Sequence, residues 1–124
     1  MSLRHPLAKV KGLGSSGEGS HHWWSQRITA LLLIPLTVWF MFSMVFHIND
    51  NLDDIHQWIS QPVVSVLLLI YLPTMFYHAQ LGLQVVIEDY IHAEGIKTII
   101  LLLSKAVLLL AAIASIFSVL RISL

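Results

Sequence analysis

The sequence predicts an all-α membrane protein with three transmembrane helices, and three observations carry that prediction. Of its 124 residues 56% are hydrophobic and only 11% charged, with a mean hydropathy of +0.77, whereas soluble domains carry roughly 25% charged residues. The apolar residues gather into three runs, about residues 28–48, 62–87 and 98–120. Each can cross a hydrocarbon core of about 30 Å at about 1.5 Å per residue. Between the runs lie two short polar breaks.

Residues 1–26 are polar and rich in Gly and Ser (Gly12, Gly14, Ser15, Ser16, Gly17, Gly19, Ser20). They have no apolar core of the kind a signal peptide needs, so they are expected to form a flexible, uncleaved cytoplasmic lead-in to a membrane domain at 27–124. The first run has no formal charge and contains Pro35, an expected kink that a span tolerates. Residues 49–61 are expected as a polar connection with Asp50, Asp53 and Asp54 and no Lys or Arg. Pro62 suits the first turn of the second span, and Pro73 is a second expected kink. Glu88 to Lys97 forms the second loop, and the third span is interrupted only by Lys105.

Arg4, Lys9, Lys11 and Arg27 precede or open the first span, and the first loop has no basic residue. The positive-inside rule then puts the N-terminus and the 88–97 loop inside and the Asp-rich loop and C-terminus outside. The chain has no cysteine, which excludes disulfides and thiolate-held metal centres within it. Seven basic residues balance seven acidic ones, so no nucleic-acid footprint is expected.

The informative stretch runs from His78 to Tyr90. On a helix, His78, Gly82, Val85 and Asp89 share one face. His78 lies roughly 15 Å from the inside end of its span, where an imidazole is costly and generally has a partner. That partner is either a neighbouring helix, through a hydrogen bond, or a flat ligand admitted by the missing side chain of Gly82. Imidazole is a common axial ligand of haem iron. His47 lies roughly 30 Å along the first helix from the inside surface, so it cannot share an iron with His78; a second axial ligand would come from another chain. His47 is expected to cap the outside interface.

Trp23, Trp24 and Arg27 mark the inside end of the first span, where an aromatic belt with a snorkelling Arg is the simplest reading. Arg27, Asp89 and Tyr90 are expected at one membrane level, where they could bind and protonate a polar head group whose tail lies in lipid. Lys105 is expected to snorkel inward, the alternative being a buried counter-ion. Ala111, Ala112, Ala114 and Ser115 mark close helix packing.

The blocks His22-Trp23-Trp24-Ser25-Gln26-Arg27-Ile28-Thr29-Ala30 and His78-Ala79-x-x-Gly82-x-x-x-Val86-x-x-Asp89-Tyr90, with three spans around them, resemble the hydrophobic membrane anchors of succinate dehydrogenase, the small cytochrome b-type anchors of respiratory complex II. The resemblance covers most of the chain apart from its two ends. It implies a non-catalytic anchor packing with a companion cytochrome b-type anchor into a helix bundle, beside an iron–sulfur protein and a flavoprotein. It implies His78 as one axial ligand of a haem b shared with that companion, and ubiquinone as the substrate reduced. Tyr90 would hydrogen-bond the quinone, Asp89 would line the quinone site or relay protons, and Arg27 would lie near the quinone or a haem propionate. Trp24 is a candidate neighbour of the quinone. The implied location is the bacterial inner membrane, in preference to the mitochondrial inner membrane. Alternatives left open are an anchor of a fumarate reductase, a haem-free structural anchor, and a small transport protein with His78 and Lys105 lining a polar path.

Overall fold

The computed structural model describes residues 16–124. Helix α1 (Ser16–Phe46) is followed by α2 (Leu52–Ser60), α3 (Pro62–Tyr90) and α4 (Glu94–Ser123), with no strand among the described residues. Helices α1, α3 and α4 are long and apolar enough to cross a membrane. The all-α, three-span architecture is thus as the sequence predicts, and Pro35 and Pro73 lie inside continuous helices.

Two local features differ from expectation. Helix α1 begins at Ser16, so residues 16–26 are helical rather than a flexible lead-in, while residues 1–15 lie outside the described residues. The reason is length matching: α3 continues well past Gly82 to Tyr90, and the first turns of α1 have that surface to pack on. His22 on these turns is half-buried, with its Nε2 atom enclosed.

The second difference is α2, which occupies the expected polar connection. Its start is fixed by Asn51, whose side-chain oxygen accepts the Asp54 backbone N–H at 3.0 Å. Asp53 and Asp54 stand in the first turn, where the helix dipole favours negative charge. Trp58 and Ile59 give this helix an apolar side against the main core.

Helix α3 is central. It packs against α1 on one side and α4 on the other, and among the described residues α1 and α4 have no close backbone approach. The three spans therefore form an open row, with α2 against α3 and α4 at one end. The tightest packing is at that end, where Val64, Leu68 and Val119 are buried beneath Trp39, Phe40, Trp58 and Leu72. Trp58 stacks on Trp39 with ring centroids 6.3 Å apart and lies 4.8 Å from the His47 ring. His47 Nδ1 pairs with Asp50 Oδ2, which ties the end of α1 to the turn leading into α2.

Elsewhere little is enclosed. Leu36 is the buried core residue of α1 and Val119 that of α4, while residues such as Ile28, Leu31, Ile34, Phe42, Leu102 and Leu110 are exposed. In lipid such surfaces cost nothing to leave uncovered, and helices associate through packing and polar contacts instead.

Candidate functional site

The α1–α3 seam carries a polar stripe through otherwise apolar helices. His22, Gln26 and Thr29 recur at helical spacing on α1, and His78 and Gly82 stand across from them on α3. Thr29 Oγ1 lies 2.8 Å from His78 Nδ1. One turn along, a Cβ placed on Gly82 would lie 3.6 Å from Gln26 Nε2. The gap at Gly82, expected to admit a planar ring, instead receives the amide of this chain's own Gln26. A residue no larger than alanine at this position fits the approach of α1 to α3 that brings Thr29 within reach of the imidazole.

The hydrogen-bond directions follow from the donors present. A threonine hydroxyl has one hydrogen, and Thr29 Oγ1 lies 2.7 Å from the Ser25 carbonyl and 3.1 Å from that of Gln26. Carbonyls only accept, so the arrangement that makes both contacts hydrogen bonds sends the hydroxyl hydrogen to its own helix. The Thr29 oxygen then accepts from His78 Nδ1–H. His78 Nε2 makes no hydrogen bond among the described residues and is not among the enclosed polar atoms of the chain. The imidazole thus has one nitrogen held within the chain and one open to whatever lies beside it.

Other polar atoms at the helix contacts lack partners among the described residues. His22 Nε2, Gln26 Oε1 and both amide atoms of Gln80 are buried without a hydrogen bond. Each such atom costs about 1–3 kcal/mol if nothing satisfies it.

At the end opposite α2, Asp89 and Tyr90 are exposed, Tyr90 at 80%, and neither side chain has a partner among the described residues. Gln84 Nε2 donates to Glu88 Oε1 at 2.8 Å, and Lys97 pairs with Glu94 at 2.7 Å. The acidic neighbours of Asp89 are thus committed elsewhere. The Asp89 carboxylate and the Tyr90 hydroxyl remain available to a ligand.

Arg27 requires a correction. The register set by Thr29 opposite His78 and Gln26 opposite Gly82 puts the Arg27 backbone level with Leu81, about 12 Å along the helix from Asp89 and Tyr90. The three backbones are not on one level. The guanidinium reaches back over the Trp23 ring, 5.1 Å from its centroid, in the direction helical side chains tilt. Trp24 meets Trp23 edge to face at 5.1 Å and is 58% exposed. Lys105 lines a different cleft, between α3 and α4, with Gln80, Tyr77 and Leu108. His78 and Lys105 therefore do not line one path.

Thr29, Gln26 and Gln80 were not marked as site residues by sequence reasoning. The recurrence of His22, Gln26 and Thr29 on one helical face was a signal that could have found the α1 side of the seam. Among the described residues no group of three metal-ligating side chains converges, so any metal held at His78 needs ligands from elsewhere.

Residues 1–117 match the model of the succinate dehydrogenase/fumarate reductase transmembrane subunit family. The succinate dehydrogenase hydrophobic membrane anchor subunit of Rickettsia bellii is 36% identical over 117 residues, covering 94% of each chain. That of Rickettsia conorii is 33% identical over 109 residues, covering 87% of this chain and 86% of its own. The succinate dehydrogenase membrane anchor subunit of Reclinomonas americana is 28% identical over 92 residues, covering 72% of this chain and 77% of its own. No solved structure matches. With three spans, a histidine within the second of them and a family match over nearly its whole length, the chain belongs to the succinate dehydrogenase/fumarate reductase transmembrane subunit family, among its hydrophobic membrane anchors.

Proposed function

We propose that this chain anchors a succinate:ubiquinone oxidoreductase in the bacterial inner membrane, contributing one axial ligand to a shared haem b and part of the ubiquinone-reduction site. The observation that carries the reading is His78, half-buried at mid-span depth, with Nδ1 engaged by Thr29 and Nε2 uncommitted. An imidazole so arranged would suit an iron ligand, and the open row of spans would leave room for a companion anchor to supply another. When bound, haem provides a one-electron carrier within the membrane.

Quinone reduction takes two electrons and two protons, and this chain's residues serve the second part. Electrons come from succinate through the flavoprotein and iron–sulfur partners. Tyr90 O–H donates to a quinone carbonyl and stabilises the charge that develops on that oxygen. Asp89, adjacent and unpaired among the described residues, passes protons or orients Tyr90. The Arg27 and Trp24 backbones lie about two turns deeper than Tyr90, and their side chains flank the head group or a haem propionate. The N-terminus and the 88–97 loop lie on the cytoplasmic side, where the electron donor binds.

The family description also covers fumarate reductases; the same residues would then serve a quinol giving up electrons and protons. Purification of the complex through a tag on this chain tests the proposal. Flavin, iron–sulfur centres and succinate–ubiquinone reductase activity should copurify, and a tagged chain that brings down none of these contradicts it.

A further inference from the structure

We infer that Thr29 is the positioning residue of the haem ligand: its hydroxyl fixes which His78 nitrogen faces the iron and holds the imidazole plane, an inference that rests on the haem-ligand reading above. The chain of contacts is short and directional. The Thr29 hydroxyl donates to the Ser25 carbonyl at 2.7 Å, and its oxygen accepts from His78 Nδ1 at 2.8 Å. A threonine in a helix settles its side-chain rotation by such a bond to the preceding turn. The acceptor offered to His78 is therefore fixed on α1 before any cofactor arrives.

Two consequences follow. With the hydrogen on Nδ1, the lone pair is on Nε2, the nitrogen this chain leaves open. A hydrogen bond from the far nitrogen of a ligating histidine also sets ring orientation and raises its basicity as a ligand. A more basic ligand favours the oxidised iron, so Thr29 lowers the reduction potential of the haem. Loss of the acceptor should raise it. The contact joins α1 to α3 across 49 residues of sequence, so the same hydroxyl couples the first span to the ligand.

The test compares Thr29→Val, which keeps the shape and loses the hydroxyl, with Thr29→Ser, which keeps the hydroxyl, and with His78→Ala. Each whole complex is purified and normalised to flavin, and its b-type band is followed by redox titration and its haem signal by electron paramagnetic resonance. Thr29→Val should raise the midpoint potential, alter the resonance signal and weaken haem retention by about 10–100-fold in affinity. Thr29→Ser should restore all three. If Thr29→Val has the wild-type potential and signal while His78→Ala loses the band, Thr29 is not the positioning residue and the ligand reading stands. A Thr29→Ser complex as altered as Thr29→Val assigns the effect to packing and overturns the inference. If His78→Ala keeps the wild-type band, the ligand reading fails and takes this inference with it.

Discussion

Thr29 Oγ1 and His78 Nδ1 meet at 2.8 Å across the α1–α3 seam, and this contact sets the register of the two spans. Each side chain is only partly buried by the chain itself, so the pair lies at the margin of the seam rather than in a closed core. The position satisfies one polar edge of the imidazole, which would be costly if left bare in hydrocarbon. The other edge has no hydrogen-bond partner among the described residues. Packing, polar satisfaction and the candidate chemistry thus converge on one hydrogen bond.

Tyr90 tests the quinone side of the account. It is 80% exposed and its hydroxyl is unpartnered among the described residues, so Tyr90→Phe should leave folding and assembly intact. Quinone reductase activity should fall by about 10–100-fold, the worth of a charge-assisted hydrogen bond of roughly 1.5–3 kcal/mol. Succinate oxidation by an artificial acceptor should be unchanged. Equal quinone reductase rates in the two proteins would remove Tyr90 from the site.

Gly82 tests the seam. Its built Cβ meets Gln26 Nε2 at 3.6 Å, an ordinary contact distance, so Gly82→Ala should retain the wild-type ratio of haem to flavin. Gly82→Leu cannot be accommodated without separating α1 from α3 or displacing Gln26, and overpacking of this kind costs about 1–3 kcal/mol. It should lower that ratio, because the Thr29–His78 contact is one turn away. A wild-type ratio in Gly82→Leu would show that close approach at Gly82 is not required.

Topology is directly measurable because the chain contains no cysteine. Asp53→Cys, on exposed α2, should react with a membrane-impermeant maleimide added outside spheroplasts. His92→Cys, in the turn between α3 and α4, should react only after the membrane is opened. The reverse pattern would put Asp89 and Tyr90 on the wrong side for a cytoplasmic electron donor.

The three spans were legible because each is a long apolar run bounded by charge or proline, and length alone identifies such a segment. The relative rotation and register of the spans were not. Helices apolar on all faces have no stripe that marks the buried side, so the levels of Arg27 and Tyr90 could be judged only from counting inward from the span ends. Counting inward from Arg27 takes α1 to end there, whereas the helix continues to Ser16. Helix α2 was concealed by its three neighbouring aspartates, two of which serve its N-terminus. Within the site, His78 stood out as an ionisable group in an apolar run. Thr29, a common residue in a membrane helix, gained significance only once the fold brought it to the imidazole.

The central claim, that His78 is one half of a haem site completed by another chain, is tested most directly by the dithionite-reduced minus oxidised optical spectrum of the flavin-normalised complex. The wild-type complex should show a b-type haem band, and a His78→Ala complex with normal flavin content should lose it. An unchanged band in His78→Ala, or a wild-type complex with full flavin and no haem band, would contradict the account.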